Sequence, residues 1–446
     1  MRHRVVSALY RGWPDADIVP MQHEQATPAP QESRIPRAAI DEDAYKVIRR
    51  LKRNGFQAYL VGGCVRDLLL GLQPKDFDIA TSARPRQIKR LFRNSRIIGR
   101  RFRLAHIRFG DKVLEVATFR APPDETDTDD PYIKRDNVFG TEESDAFRRD
   151  FTINALFYDP EERRVIDHVG GLDDLDARRL RTIGDAPVRL REDPVRALRA
   201  AKFMGRLGFD ADPELDAALR ATAGDLAKAS TARVLEELYR LMSGRGSQRA
   251  FELLRDWGCL DVMLPELTPM PDEFFAALPR IESISGGARN GISQGLMIAV
   301  LFAPLAQRLY ARRPVHTDHE AEVLLADTMQ PLCVRLTVAR RDSTLARHCL
   351  AAQVRFRTPP NRKGARRFCF RPHFKDAAML RQLLGPIQPE DESEEDPFDA
   401  WLELSKNLGA EDARRPRRRR RRGGRRRRKN TSENSPEGAP EDKPES

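Results

Sequence analysis

The chain reads as an α+β protein: a head with a mixed sheet and helices, an all-helical neck and body behind it, and disordered termini. Three observations predict this. Short β-type runs separated by glycine-containing turns crowd residues 56–119. Beyond about Asp174 the apolar residues recur at helical spacing instead. Both ends lack apolar periodicity and are rich in Pro and charge. The implied boundaries are an arm over 1–34, a head over 35–168, a neck over 169–228, a helical body over 229–388 and a tail over 389–446.

Taken in order, Ala44, Val47, Ile48 and Leu51 predict an amphipathic helix over 41–54. Phe56–Val61 reads as a short strand, broken by Gly62-Gly63, after which Val65–Leu70 starts a helix. Asp76–Thr81 reads as a second strand, and Pro85–Phe92 as a helix with Pro in its first turn. Leu104–Phe109 and Val113–Phe119 read as paired strands around the turn Gly110-Asp111. Residues 121–146, with the run DETDTDDP at 124–131, read as an acidic loop. In the second half, Val195, Leu198 and Phe203 mark one buried helix face. Val234, Leu235 and Leu238 mark another, and Phe251, Leu253 and Leu254 a third, with Gly244 and Gly258 as breaks. A short apolar segment near Trp401 sits in the tail after an acidic patch at 390–396.

With 446 residues there is material for two or three domains. The formal net charge is +12, but Arg414–Lys429 (RRPRRRRRRGGRRRRK) alone supplies +13 and leaves −1 on the rest. The basicity is therefore a property of the tail, and a dense Arg run of this kind suits a polyanion. The five Cys form no CxxC pair, which disfavours a disulfide framework or a structural zinc site. No apolar stretch is long enough for a signal peptide or a membrane span, so a cytoplasmic protein without a membrane partner is expected. His316 and His319 (HTDH) read as exposed side chains rather than metal ligands.

Two segments carry chemistry. In LVGGCVRDLLLG (Leu60–Gly71), Gly62 and Gly63 lie between a strand and a helix, where backbone N–H groups can approach an anion. No GxxxxGK[ST] loop is present. In KDFDIAT (Lys75–Thr81), Asp76 and Asp78 are two apart on a strand and so share a face. Adjacent carboxylates repel unless a cation lies between them, and hard oxygen donors facing phosphates favour Mg2+.

The Gly-Gly turn followed by DxD resembles the nucleotidyltransferase superfamily that includes DNA polymerase β. RRDFTINALFY (Arg148–Tyr158), DHVGGLDDL (Asp167–Leu175) and REDPVRALRAAKF (Arg191–Phe203) narrow the resemblance. They point to the class of bacterial poly(A) polymerases and CCA-adding tRNA nucleotidyltransferases, over roughly residues 35–265. IIGRRFRLAHI (Ile97–Ile107) and EVATFR (Glu115–Arg120) resemble the poly(A) polymerase branch. Beyond about residue 270 the likeness is loose.

The resemblance implies a polymerase-β-like head and template-independent addition of AMP from ATP to RNA 3′ ends, with pyrophosphate release. It implies Mg2+ held by Asp76 and Asp78, with Asp150 in the catalytic acidic set and Glu115 a further acid on its strand. Gly62, Gly63, Arg66, Asp67 and Arg149 are expected near the triphosphate, and Asn154 near the ribose. Asp193 and Arg196, three apart on a helix, are expected to read the adenine edge. The Arg tract 414–429 is expected to bind RNA. Addition of CCA to tRNA is the competing activity, and no protein partner is implied.

Overall fold

The structure is a computed structural model that describes residues 34–99, 103–121, 138–287, 292–360, 364–386 and 396–414. The arm over 1–33, the acidic run 124–131, residues 100–102 of the Ile97–Ile107 segment and the Arg tract beyond Arg414 lie outside the described residues.

The head begins with α1 (Glu42–Arg53), capped by Asp41, whose side chain accepts from the amides of Asp43 and Ala44. Its buried face is the predicted one: Ala44, Val47, Ile48 and Leu51. There follow β1 (Ala58–Val61), α2 (Gly63–Leu69), β2 (Asp78–Thr81), α3 (Pro85–Leu91), β3 (Ser95–Ile98), β4 (Leu104–Phe109) and β5 (Lys112–Thr118). Then come α4 (Glu142–Phe147), β6 (Phe157–Asp159), β7 (Arg164–Ile166) and α5 (Gly171–Asp176). The strands form one sheet in the order β3-β4-β5-β2-β1-β6-β7, in which only β2 and β5 run parallel. Tyr59, Phe119 and Phe157 pack as a triad with ring centroids 6.1–6.3 Å apart.

Three local readings change. The acidic "loop" over 121–146 contains α4, started by Thr141, whose hydroxyl accepts from the Ser144 amide while Ser144 Oγ accepts from the Thr141 amide. The strand expected over Asp76–Thr81 starts only at Asp78. Ladder pairing begins at Asp78↔Glu115 and Leu60↔Ile79, which leaves Asp76 in a bend without a partner strand. Strands β3, β6 and β7 are too short to have announced themselves by alternation.

At the hinge, Asp167 accepts from the amides of Val169, Gly171 and Leu172 at 2.8–3.0 Å. The buried Asp174 binds Arg179, Arg181 and the Thr152 hydroxyl, fastening α5 to the head. The helical part follows with α6 (Ala186–Glu192), α7 (Arg196–Leu207), α8 (Pro213–Thr222), α9 (Thr231–Ser243), α10 (Ser247–Asp256) and α11 (Cys259–Met263). It continues with α12 (Asp272–Gly287), α13 (Gln294–Arg312), α14 (Asp318–Arg335), α15 (Arg340–Phe356), α16 (Ala365–Cys369) and α17 (Phe374–Leu384). Where α7 meets α10, a Cβ on Gly205 would lie 2.5 Å from the Gly246 carbonyl oxygen, so the two backbones touch and α7 cannot drift.

The tail assignment needs a correction. Residues 398–414 form α18 (Phe398–Arg414), and Trp401 is 2% exposed against Phe356 and Phe368. Its indole Nε1 donates to the Thr358 carbonyl at 2.8 Å. Two aromatics, Phe398 and Trp401, in a short segment between charged runs are a weak signal, but here they complete a cluster prepared by the body. His316 and His319 are exposed, as expected. No described helix is long and apolar enough to cross a membrane.

Candidate active site

The site lies where β1, β2 and β5 end against α2 and the neck. Gly62 has φ +76°, and a Cβ there would stand 3.2 Å from Arg149 Nη1, so only glycine admits that guanidinium beside the turn. Asp76 and Asp78 follow on the neighbouring segment, and Glu115 is the directly facing residue of Asp78 on β5. Burial, together with the Glu115 and Asp76 charges, pushes the Asp78 carboxyl up to about 6, with Arg149 opposing. By its surface Asp78 is exposed, so it sits in an open recess that water reaches, and the crowding of Glu115 and Asp76 beside it acts alongside desolvation. His106 Nε2 lies 3.3 Å from a Glu115 oxygen.

The donor set fits a divalent ion. Asp76 and Asp78 have no cationic side chain within ion-pair distance among the described residues, while the other carboxylates around the cleft are paired. Oxygen donors crowded without a counter-charge suit a hard cation. No closed cage of three or more ligating side chains occurs among the described residues, so part of any coordination shell would have to come from substrate or water.

Asp150 lies elsewhere in the site. Arg199 Nη2 reaches its Oδ2 at 2.6 Å, and Oδ1 accepts from the Phe151 amide at 2.9 Å and from Asn154 Nδ2 at 3.2 Å. Burial alone would raise this carboxyl, but Arg199, Asn154 and the Phe151 amide outweigh it and hold it below the usual carboxylate range. The oxygens of this carboxylate are thus committed to Arg199, Asn154 and the Phe151 amide. The acid that faces Asp78 across the ladder is Glu115.

Arg66 and Asp67 are also displaced from expectation. Both are buried, at 2% and 3% exposure. Arg66 donates to Asp67 Oδ1 at 2.7 Å and to Asn154 Oδ1 at 2.5 Å, and its guanidinium stands over the Phe203 ring at 5.2 Å. Asp67 Oδ2 accepts from Arg206 at 2.6 Å. They support the cleft from beneath and hold Asn154 in place.

The cleft itself, of about 520 Å³, is lined by Arg148, Arg149, Asp150, Asp193, Arg196 and Arg199, with α9 contributing Arg233 and Arg240. Arg149 is braced by Asp145 at 2.9 Å. Asp193 and Arg196 do meet here, but they do not share a helix. Asp193 is extended (φ −146°, ψ 89°) at the end of α6, because it precedes Pro194; Arg196 begins α7. Asp193 is held in a two-pronged pair by Arg233, at 3.0 and 2.6 Å. Arg196 donates to the Arg189 carbonyl and to Glu192 at 3.2 Å. Sequence reading missed Arg199 and Arg233. Arg199 lies one turn beyond Arg196 and had a periodic signal; Arg233 is forty residues from Asp193 and had none.

A mixed sheet with clustered acids beside a Gly-Gly turn, facing a cationic cleft, defines a nucleotidyltransferase site. Residues 58–181 match the poly A polymerase head domain family, and 208–270 match the family described as the probable RNA and SrmB-binding site of polymerase A. Poly(A) polymerase I of Salmonella typhimurium is 35% identical over 394 residues, covering 82% of this chain and 84% of that protein. That of Haemophilus influenzae is 38% identical over 328 residues, covering 69% and 73%. The CCA-adding enzyme of Geobacillus stearothermophilus is 38% identical over 228 residues, covering 51% and 55%. Among solved structures, the Bacillus stearothermophilus CCA-adding enzyme in complex with CTP matches with a TM-score of 0.62 at 27% identity, covering 83% of this chain and 82% of that one. The chain belongs to the poly(A) polymerase family of nucleotidyltransferases.

Proposed function

We infer that the protein is a template-independent poly(A) polymerase that adds AMP from ATP to RNA 3′ ends and releases pyrophosphate. One observation carries the choice within the family: the likeness to poly(A) polymerase I runs over 82% of the chain, whereas the likeness to a CCA-adding enzyme at similar identity stops at 51%.

In this reading Asp76 and Asp78 hold Mg2+, with Glu115 as the third acid. When bound there, the metal neutralises phosphate charge and lowers the pKa of the attacking hydroxyl. The protein's part is placement and charge. Gly62 and Gly63 leave room for the triphosphate, and Arg149 supplies a cation beside it. Asn154 and Asp150, oriented by Arg66 and Arg199, take the ribose hydroxyls. Asp193 and Arg196 offer an acceptor and a donor to adenine, replacing a template base. The RNA 3′-hydroxyl attacks the α-phosphate in line with the leaving pyrophosphate. The helical body and the Arg tract 414–429 hold RNA through its backbone, in a cytoplasmic setting.

The test is extension of an unstructured RNA oligomer with Mg2+ and one nucleoside triphosphate at a time. A long ladder with ATP alone is the expected product. A short extension that needs CTP and stops would assign the protein to CCA addition, the activity named for the solved relative that shares its fold.

A further inference from the structure

A groove of about 830 Å³ opens between the second half of α14 and the first turns of α15, well outside the residues assigned above. Met329 and Cys333 are buried in its floor, and Val334 stands at its rim 68% exposed. Its wall carries Arg340, Ser343, Thr344 and Arg347, and no carboxylate lines it. Arg347 Nε is shut off from solvent and donates no hydrogen bond among the described residues. Glu322, its ion-pair partner, is 3.7 Å away, and the same oxygen lies 3.1 Å from His348 Nε2. A 3.7 Å separation is not a hydrogen bond, so a desolvated guanidinium N–H lacks the acceptor its chemistry demands.

The groove also has a definite relation to the nucleotide cleft. Helix α9 presents Arg233, Glu237 and Arg240 to the cleft. Tyr239, between them in sequence, faces the other way. Burial, with Asp342 and Cys333 beside it, pushes its phenol up to about 12. Cys333 belongs to the groove floor, and Asp342 adjoins Ser343 of its wall. Helix α9 thus lines the cleft with one face and carries Tyr239, near Cys333 and Asp342 of the groove's surroundings, on another.

We propose that the α14–α15 groove holds a nucleotide of the RNA strand upstream of its 3′ end. The phosphate lies on Arg340, Arg347 and the Ser343 and Thr344 hydroxyls, and the base covers the apolar floor. This rests on the reading of the cleft as the site of nucleotidyl transfer to RNA. Two arginines in the lining, against the single carboxylate of Glu322 behind Arg347, leave a net positive wall that favours a polyanion over a peptide. A largely apolar floor, on which only Gln330 and Thr337 offer side-chain hydrogen-bonding groups, discriminates little between bases, as a strand of changing 3′ sequence requires. The strand passes over α9 from one feature to the other.

The test compares RNA primers of about three nucleotides, too short to cross α9, with primers of about twelve. In the full chain, Arg340→Gln/Arg347→Gln is expected to raise KM for the long primer about tenfold. Its salt dependence should flatten by about 0.7 in log–log slope for each phosphate no longer neutralised. KM for ATP and the rate on the short primer should be unchanged. Thr344→Asp, which keeps both arginines but adds a charge to the wall, should give the same loss, and Arg347→Lys should restore part of it. Wild-type KM and salt slope on long primers in both the double variant and Thr344→Asp would overturn the proposal, including in favour of a protein partner. Failure of the wild-type chain to extend either primer would instead strike the polymerase reading.

Discussion

Asp78 and Glu115 face each other across the one parallel pairing of the sheet, and their charges act on one another. They are thirty-seven residues apart in sequence, so only the β2–β5 ladder brings them together. Asp78→Asn is expected to reduce AMP addition by at least about a thousandfold, the scale of losing a group that acts in the transition state. Glu115→Gln should lower kcat by one to two orders of magnitude. An unaffected kcat in Glu115→Gln would return that residue to the status of a surface carboxylate. Far-ultraviolet circular dichroism checks that both variants stay folded.

The raised Asp78 carboxyl gives a signed pH dependence. Its folded value is about 6 against 3.8 unfolded, so the metal-free protein holds a proton that the unfolded chain has already released. Stability of the metal-free protein should therefore fall as pH rises from about 4 to 6. Asp78→Asn should remove that fall, and the Mg2+ needed for half-maximal activity should climb as pH drops below about 6. Thermal denaturation against pH, with and without Mg2+, measures the first. A wild-type midpoint that is flat across this window without metal would contradict it.

Arg66 tests the support beneath the cleft. Arg66→Met removes the partner of Asp67 and of Asn154 while keeping much of the volume. Breaking a buried ion pair from one side costs about 3–5 kcal/mol. An unfolding free energy from urea titration within about 0.5 kcal/mol of wild type would show that Arg206 alone suffices for Asp67.

Arg233 tests the base-reading geometry. With its two-pronged contact gone, Arg233→Ala leaves the Asp193 carboxylate only the long bond from the Val195 amide, at 3.3 Å. The ratio of kcat/KM for ATP over CTP should drop about tenfold or more, with kcat for ATP reduced less than the ratio. Equal losses for both nucleotides would mean that Arg233 maintains the fold alone.

Trp401→Ala should detach α18 from Phe356 and Phe368. Large-to-small changes of a buried Trp cost about 3–5 kcal/mol. Limited proteolysis should then cut near residue 396. Resistance equal to wild type would mean that Phe398 holds the helix by itself.

The sheet-plus-helices plan was legible because Ala44, Val47, Ile48 and Leu51, and the long second half, carry strong periodicity. Asp76, Asp78, Gly62 and Arg149 were legible because the chemistry is packed into short contiguous motifs. What escaped depends on distant pairing. Glu115 was named from its motif, but that it faces Asp78 depends on a parallel ladder, and the pairing of Asp150 with Arg199 depends on how the neck packs on the head. Arg66 carries a charge, which on average means the surface, yet three acceptor and ring contacts keep it inside. Trp401 needed the Phe356–Phe368 cluster to make sense.

With Asp193 and Arg196 as the proposed base readers, the break at Pro194 sets how base choice in such a chain can change over generations. Asp193 hangs from the end of α6 and is gripped by α9, while Arg196 rides on α7. Each half of the base reader can therefore be shifted without rewriting the other. A population selected to incorporate a different nucleotide has room to keep both motif residues and alter their holders. Variants arising under such selection should collect at Arg233, Glu192 and Arg189, the side chains and backbone that brace the reader from behind.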